Sequence, residues 1–323
     1  MNIFTKNKAK RILITGNCGY VGTNLTEKLL DIGHQIIGLD TMWYGNHLVK
    51  NCNLQQINGD VRDIDNINIG EIDAVIHLAN IANDPSVELN QNLSWEINVL
   101  AGYKLIKKSI DLGAKHFIFA SSGSVYGVKD EDNVTEDLSL VPLSAYNKTK
   151  MIAELVFMSQ KDKINVHCVR PATVCGISKR MRLDVSVNML TYQATASNEI
   201  TVYGGQQIRP NIHIDDLVDI YVHFLNNKNI DSGFYNAGFE NISILEIAKK
   251  ISLITNSKIN ILENDNDKRS YRLDSRKLIK TGYSPKKNVL NAIEEMISFF
   301  RDKNNVFSDK NYNVKWLKKL NIN

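Results

Sequence analysis

The sequence predicts an α/β fold: a doubly wound parallel sheet with a smaller C-terminal lobe. Short apolar runs alternate with helical patterns through the first half, as strands buried on both faces of a parallel sheet do. A glycine-rich turn lies between the first apolar run and the first helical pattern. The alternation then loosens, which marks a second, smaller unit.

The elements follow in order. Arg11-Ile-Leu-Ile-Thr15 is a short buried-type strand, and Val21 to Leu30 carries helical periodicity. Gly33-His34 ends that helix, and Gln35 to Leu39 is the next strand. Further strands are predicted at Leu54–Val61, Ala74–Ala79, His116–Ala120 and Val166–Val174. Helices are predicted at about Leu93–Leu112 and Ala145–Lys161. In the second half, helices are expected at Asp184–Ser197, Ser243–Thr255 and Val289–Arg301. Strands are expected at Ile200–Tyr203 and Ile259–Leu262, with a strand-to-helix step from Ile212 through Asp216 to Leu225. No internal repeat or low-complexity linker divides the chain, so residues 1–170 and 171–323 are expected to form one compact unit with a cleft between them. Some of the later chain is expected to return to the first lobe. The segment from Asn304 to Asn323 has no place in this scheme.

Composition bounds the function. The 323 residues hold 39 basic and 35 acidic side chains, a net charge of +4. So small an excess makes no case for nucleic acid, although a local basic pocket for a phosphate is compatible with it. No apolar stretch is long enough to span a bilayer. Met1 to Arg11 is polar and basic, without the apolar region of a signal peptide. The four cysteines make no C-x-x-C pair, and reduced thiols with a cytoplasmic location are the expectation. No cysteine–histidine spacing forms a metal-ligand set.

Gly16-Asn-Cys-Gly19-Tyr20-Val21-Gly22 follows the first strand and opens the first helix. In that context Gly16 permits the sharp turn, Gly19 lets backbone approach a pyrophosphate, and Gly22 lets helix and sheet pack closely. The helix N-terminus adds N–H donors and a partial positive charge. Asp40 stands 18 residues after Gly22, at the end of the second strand. A carboxylate there accepts from the adenosine ribose hydroxyls and repels a 2′-phosphate, which argues for NAD over NADP. Asp60-Val61 either meets the adenine or is a solvated loop pair. His77 is read as a packed strand residue rather than a base, at the sheet edge where ligands bind in such folds.

Ser121-Ser122-Gly-Ser124-Val-Tyr-Gly127 follows the fifth strand, and Tyr146-Asn-Lys-Thr-Lys150 opens a helix 24 residues after Ser122. The i, i+4 spacing puts Tyr146 and Lys150 on one helix face. A free phenol, with a pKa of about 10, is a poor base near neutral pH, and a nearby cation favours its ionised form. Tyr146 can then take a hydroxyl proton while the carbon gives up hydride. Ser122 would hold the same oxygen, and Lys150 would also reach the nicotinamide ribose.

These motifs together resemble the extended short-chain dehydrogenase/reductase family, in its nucleotide-sugar epimerase/dehydratase branch. The glycine turn, Asp40, His77-Leu78-Ala79, Asn98 within Ile-Asn-Val-Leu-Ala-Gly, the serine strand end, Tyr-x-x-x-Lys, Arg170-Pro171 and Ile212-His-Ile-Asp-Asp216 match in order, over roughly residues 11 to 302. The resemblance implies a Rossmann-type cofactor lobe and a C-terminal nucleotide-sugar lobe. It implies NAD retained through turnover, oxidation at sugar C4 and a 4-keto intermediate. Carried onto the matching positions, cofactor contacts are expected from Gly16, Gly19, Tyr20, Val21, Gly22, Asp40, Asp60, Val61, Leu78, Ala79, Asn98, Ser121, Tyr146, Lys150 and Pro171. The catalytic set expected is Ser122, Tyr146 and Lys150. A homodimer is implied, with the helices near 93–112 and 145–161 pairing across it; burial of the same faces within one chain is the alternative.

The reaction is narrowed by what stands after Ser122. In the 4,6-dehydratases of the resembled branch an Asp-Glu pair follows this position, whereas Gly123 and Ser124 stand here. Neither can protonate a leaving hydroxyl or serve as a carboxylate base, unless a carboxylate arrives from elsewhere. Redox at one carbon is therefore expected, as a 4-epimerase or a 4-dehydrogenase, with a 4-ketoreductase or 4,6-dehydratase as alternatives. A non-catalytic NAD(H)-binding regulator is the rival class, although such proteins typically lose the Tyr or the Lys. Arg170-Pro-Ala-Thr173 has Thr where 4-epimerases of the branch often carry Asn. Val169 to Asp184, with Arg180-Met-Arg182, and Arg209-Pro-Asn-Ile-His213 resemble bacterial enzymes oxidising GDP-heptoses at C4 for capsule synthesis. A diphosphate needs cations, and arginine matches its geometry. Ser122, Ser124, Thr173, Arg182, Asn188, Arg209 and Arg269 are the substrate contacts expected, with a solvated surface role as the alternative for Arg182, Asn188 and Arg269.

Overall fold

A computed structural model of the chain describes residues 9–263 and 271–322. β1 (Arg11–Thr15), α1 (Tyr20–Ile32), β2 (Gln35–Asp40), β3 (Leu54–Asn58) and β4 (Ala74–His77) form the first part of a Rossmann-like sheet. Gly33 closes α1 at φ 97, the left-handed position a side chain would strain. α2 (Asp84–Val87), α3 (Gln91–Trp95) and α4 (Ala101–Asp111) follow, then β5 (His116–Ala120), α5 (Ala145–Met158) and β6 (Asn165–Pro171). The seven-stranded sheet runs β10-β6-β5-β4-β1-β2-β3, where β10 is Gly233–Ala237. Every pairing in it is parallel. Connections diverge from β1, toward β2 on one side and β4 on the other, which opens a crevice at the C-terminal ends of the strands.

The rest of the chain builds a smaller unit from β7 (Thr173–Cys175), α6 (Ser186–Ser197), β8 (Glu199–Tyr203) and β9 (Ile208–His213), while α7 (Ile214–Asn226) returns to the large sheet and packs beside α1. β11 (Glu240–Ser243), α8 (Ile244–Thr255), β12 (Lys258–Leu262) and α10 (Val289–Arg301) complete the smaller unit, while α9 (Arg276–Ile279) packs against β10 and α11 (Asn313–Lys319) buries Leu317 in a cluster on the large sheet. β11-β9-β7 make one small sheet and β12-β8 another. Two apolar clusters pack on the large sheet, and a third fills the space between α6, α8 and α10.

Several elements differ from the sequence reading. The helix expected over 93–112 begins at Gln91 and contains a π turn at Glu96–Leu100, one residue wider than an α turn. The strand expected over 166–174 breaks at Ala172, so Thr173 leaves the large sheet and pairs with Asn211 in the small one. β10 and β11 were not foreseen.

One buried ion pair braces the site from below. Arg170 on β6 donates to both carboxylate oxygens of Glu154 on α5, at 2.8 and 2.7 Å, and to Tyr126 Oη at 2.7 Å. Tyr126 in turn donates to Asn236 on β10 at 2.8 Å. Both charges are almost wholly buried, so each depends on the other for solvation.

Candidate active site

A cleft of about 570 Å³ runs along the C-terminal edge of the large sheet and under the second lobe. Gly16, Gly19, Tyr20, Val21 and Gly22 form one wall. Gly16 has φ +74, and a Cβ on it would lie 2.6 Å from Ala79 N. A Cβ on Gly22 would lie 2.1 Å from Gly16 O. Backbone therefore packs where side chains cannot fit, and the N-terminus of α1 opens on the cleft with no acidic residue in its first turn and no side-chain cap. Those N–H groups and the helix dipole suit a pyrophosphate.

Asp40 ends β2 on the same wall. Its carboxylate accepts from Cys18 N at 3.0 Å and Met42 N at 2.7 Å, which fixes its orientation. Burial raises its pKa, while those two bonds and the charge of Arg180 pull it back. Asp60, Val61, Leu78, Ala79, Ser121 and Pro171 continue the lining. Ser121 Oγ and both side-chain polar atoms of Asn80 are buried here without a partner. Orphaned polar atoms facing a cleft are what a polar ligand would satisfy. The donor set fits a dinucleotide.

Tyr146, Ser122, Ser124 and Lys150 meet at the other end of the cleft. Ser144 caps α5 by accepting from Asn147 N at 3.1 Å and sets the helix so that Tyr146 and Lys150 project together. Ser122 Oγ and Ser124 Oγ lie 2.7 Å apart, and Ser124 donates to Asn147 Oδ1 at 2.6 Å. Lys150 Nζ donates to Ala120 O at 2.6 Å and sits 4.7 Å from the Phe119 ring centroid and 5.9 Å from that of Tyr146. Burial pushes Lys150 down to about 7, against the charge of Glu154 one turn along. Burial pushes the Tyr146 phenol up to about 12, and the nearby Asp84 adds to the rise. The hydrogen bond with Ser122 and the charge of Arg182 act the other way. The sequence reading gave Lys150 the task of lowering this phenol; here burial outweighs every cation.

Thr173, Arg182 and Arg209 also line the cleft. Arg182 Nε donates to Asp184 Oδ1 at 2.8 Å. Two of the residues predicted as contacts are not on the wall. Asn98, in the π turn, accepts from Ile81 N at 3.0 Å and donates to Thr149 Oγ1 at 3.1 Å, tying a cleft loop to α5. Asn188 donates to Tyr20 Oη and to Arg182 O, both at 3.0 Å, and accepts from Gly176 N at 3.1 Å. Both asparagines hold lining residues rather than line the cleft themselves. Arg269 lies outside the described residues. His77 is packed: its Nδ1 lies 2.7 Å from Thr15 Oγ1, its ring stacks on Phe119, and burial lowers it to about 3.

Sequence reasoning missed several lining residues. Asp84 faces Tyr146 and is hydrogen-bonded by Ser144 Oγ. Tyr44 and Arg180 stack, with the guanidinium carbon 3.9 Å from the ring centroid. Asn313 and Leu317 arrive from α11. Only Arg180 carried a signal, as part of an unusual Arg-Met-Arg run.

A doubly wound sheet, a glycine turn shaped for pyrophosphate and a Ser–Tyr–Lys cluster in one cleft define an NAD-dependent enzyme of Rossmann type. The family model described as the NAD dependent epimerase/dehydratase family matches residues 12–238, and the chain belongs to that family. NAD is accordingly its cofactor. The chain is 26% identical over 269 residues to a UDP-glucose 4-epimerase of Lactobacillus helveticus, covering 75% of this chain and 82% of the relative. It is 28% identical over 318 residues to UDP-glucuronic acid decarboxylase 1 of Danio rerio, covering 93% and 75%. Among solved structures, MoeE5 in complex with UDP-glucuronic acid and NAD superposes with a TM-score of 0.80 at 25% identity, over 90% of this chain and 99% of that one. The UDP-glucose 4-epimerase of Thermotoga maritima, at 23% identity and a TM-score of 0.83 over 91% and 100%, shares the fold. No helix among the described residues is long and apolar enough to cross a membrane.

Proposed function

We propose that the protein catalyses NAD-dependent oxidoreduction at C4 of a nucleotide-diphosphate sugar, as a 4-epimerase or a 4-dehydrogenase, in bacterial surface polysaccharide biosynthesis. The observation that carries this reading is the meeting of Ser122, Tyr146 and Lys150 at one end of the cleft whose other end is the glycine turn. NAD supplies the hydride acceptor, and on the return half of an epimerisation the donor. Its pyrophosphate would lie on the N-terminus of α1, and its adenosine ribose on Asp40. Tyr146 Oη takes the proton from the C4 hydroxyl and returns it when the ketone is reduced. Ser122 Oγ holds the C4 oxygen through both protonation states. Lys150 and Arg182 are the cations near the phenol, and an ionised Tyr146 needs them because burial alone keeps it protonated. Arg209 and Arg182 line the cleft and are the cations we assign to the sugar's diphosphate. The resemblance of the 169–184 segment to GDP-heptose 4-dehydrogenases makes a GDP-heptose the first substrate to try.

Gly123 supports one-carbon redox. A Cβ there would lie 2.7 Å from Leu273 Cδ1 and 3.3 Å from Pro171 O, so a carboxylate at this position would have to displace the Leu273 side chain. A second reading rests on Asp84, a carboxylate that faces Tyr146 from another loop and could serve a 4,6-dehydratase as its base. The test is incubation with GDP-, UDP- and dTDP-sugars, following absorbance at about 340 nm and product mass. An isomer without net NADH establishes an epimerase, net NADH a dehydrogenase, and loss of water the Asp84 reading. Full turnover by Tyr146→Phe with a true substrate would overturn the mechanism. Tight NAD binding with no response to any sugar nucleotide would favour a regulator.

A further inference from the structure

α11 lies across the dinucleotide end of the cleft, though nothing in the family's motifs reaches so far along the chain. Leu317 is buried in the apolar cluster that also holds Leu39, Val61 and Ile81, residues along the adenosine stretch of the cleft. Trp316 Nε1 donates to Trp43 O at 2.6 Å, in the loop that follows Asp40. Asn313 makes two bonds to the segment opposite: its N–H donates to Asp184 Oδ2 at 2.9 Å, and its Oδ1 accepts from Arg180 Nη2 at 2.5 Å. Asn311 holds the same segment, donating to Met181 O at 3.0 Å and accepting from Leu183 N at 2.9 Å.

Arg180 is the second observation. It is 4% exposed, lines the cleft, and its Nε is buried without any partner. Arg182 beside it has the Asp184 carboxylate, whereas the direct contacts of Arg180 are neutral: the Tyr44 ring and Asn313. A buried guanidinium with a vacant donor calls for an anion. Its ring partner Tyr44 stands four residues after Asp40 in the loop that follows β2, which places Arg180 at the adenosine end of the cleft. The pyrophosphate of NAD, which would lie at the α1 N-terminus, is the anion that the cofactor would bring to this stretch.

We propose that Arg180, held in place by Asn313, is a further dinucleotide-binding residue, and that α11 is a clasp over the adenosine half of the cleft that must lift before NAD leaves. The proposal rests on the assignment of this end of the cleft to NAD. It accounts for cofactor retention, which an enzyme returning hydride to the same sugar requires.

The experiment compares NAD dissociation from wild-type protein, Asn313→Ala and Arg180→Gln, by stopped-flow displacement, alongside the melting temperature of each apo protein. Both variants should release NAD roughly tenfold faster, the loss of one charge-assisted hydrogen bond. Dissociation within about twofold of wild type in both variants overturns the proposal. Backbone hydrogen exchange of wild-type residues 309–320, with and without saturating NAD, decides the matter should either variant fail to fold. Protection there on NAD binding supports the clasp, and unchanged exchange refutes it. A wild-type protein that binds no NAD would instead refute the assignment of the cleft.

Discussion

Lys150 should cost the apo protein stability at the pH where the enzyme needs it. Lys150 is 3% exposed, with one backbone acceptor and two aromatic rings for company. Burial brings it from 10.5 down to about 7. Between those two values the unfolded chain binds a proton that the folded chain does not, so stability rises with pH across that window. At 1.36 kcal/mol per pKa unit, the rise between pH 7 and pH 10 is about 2–4 kcal/mol. Lys150→Met keeps the length of the side chain and removes the titration. The variant should be more stable than wild type at pH 7 and close to it at pH 10, while losing turnover. Urea denaturation of both apo proteins at pH 7, 8, 9 and 10 measures this, and the difference between them cancels the other titrating groups. Parallel stability curves over that range would refute the argument, because they would mean that Lys150 titrates alike in folded and unfolded chains.

Gly22→Ala should weaken NAD binding at least tenfold with little change in the sheet, since the new Cβ meets Gly16 O in the turn itself; titration calorimetry checks it. Glu154→Gln leaves the Arg170 charge buried and half-solvated, and should destabilise the protein by about 3–5 kcal/mol in urea. A loss under about 1 kcal/mol would show that water reaches the pair. Leu155 on α5 is 56% exposed, and Leu100, just before α4, and Tyr103 on α4 are 60% and 46% exposed. If this face joins two copies of the chain, Leu155→Glu should convert a dimer to a monomer in light scattering, and a monomeric wild type would remove the premise.

The first half was legible because each of its signals is local. A parallel strand buried on both faces is a run of apolar residues, and the glycine turn must follow such a strand to work. β10 was not legible for the converse reason. Gly233-Phe-Tyr-Asn-Ala237 has a glycine and an asparagine in a five-residue run, and only its pairing with β6, more than 60 residues earlier, makes it a strand. The break at Ala172 was hidden too. Val166 to Val174 reads as one strand, and the change of sheet at Thr173 is decided by β9, which supplies its partners.

The site divides along the same line. Residues that bind through backbone shape or sit one helical turn apart were readable, and the cleft gathers them. Residues that act through tertiary neighbours were not. Asn98 and Asn188 have the chemistry of contacts, yet each spends its amide on the protein, and the lining residues they hold, Ile81, Tyr20 and Arg182, depend on them. Asp84 shows why the argument against elimination cannot rest on positions 123 and 124 alone. Gly123 and Ser124 carry no carboxylate, but a cleft collects groups from loops far apart in sequence, and Ser144 places Asp84 beside Tyr146. The same carboxylate opposes the chemistry of a Tyr base, because its charge raises the phenol's pKa. An enzyme that only moves hydride at C4 would gain from losing it, whereas one that also removes a neighbouring proton would use it. Asp84→Asn therefore separates the two reactions. It should lower the pH at which Tyr146 works and preserve turnover in an epimerase or dehydrogenase, and should abolish product in a dehydratase.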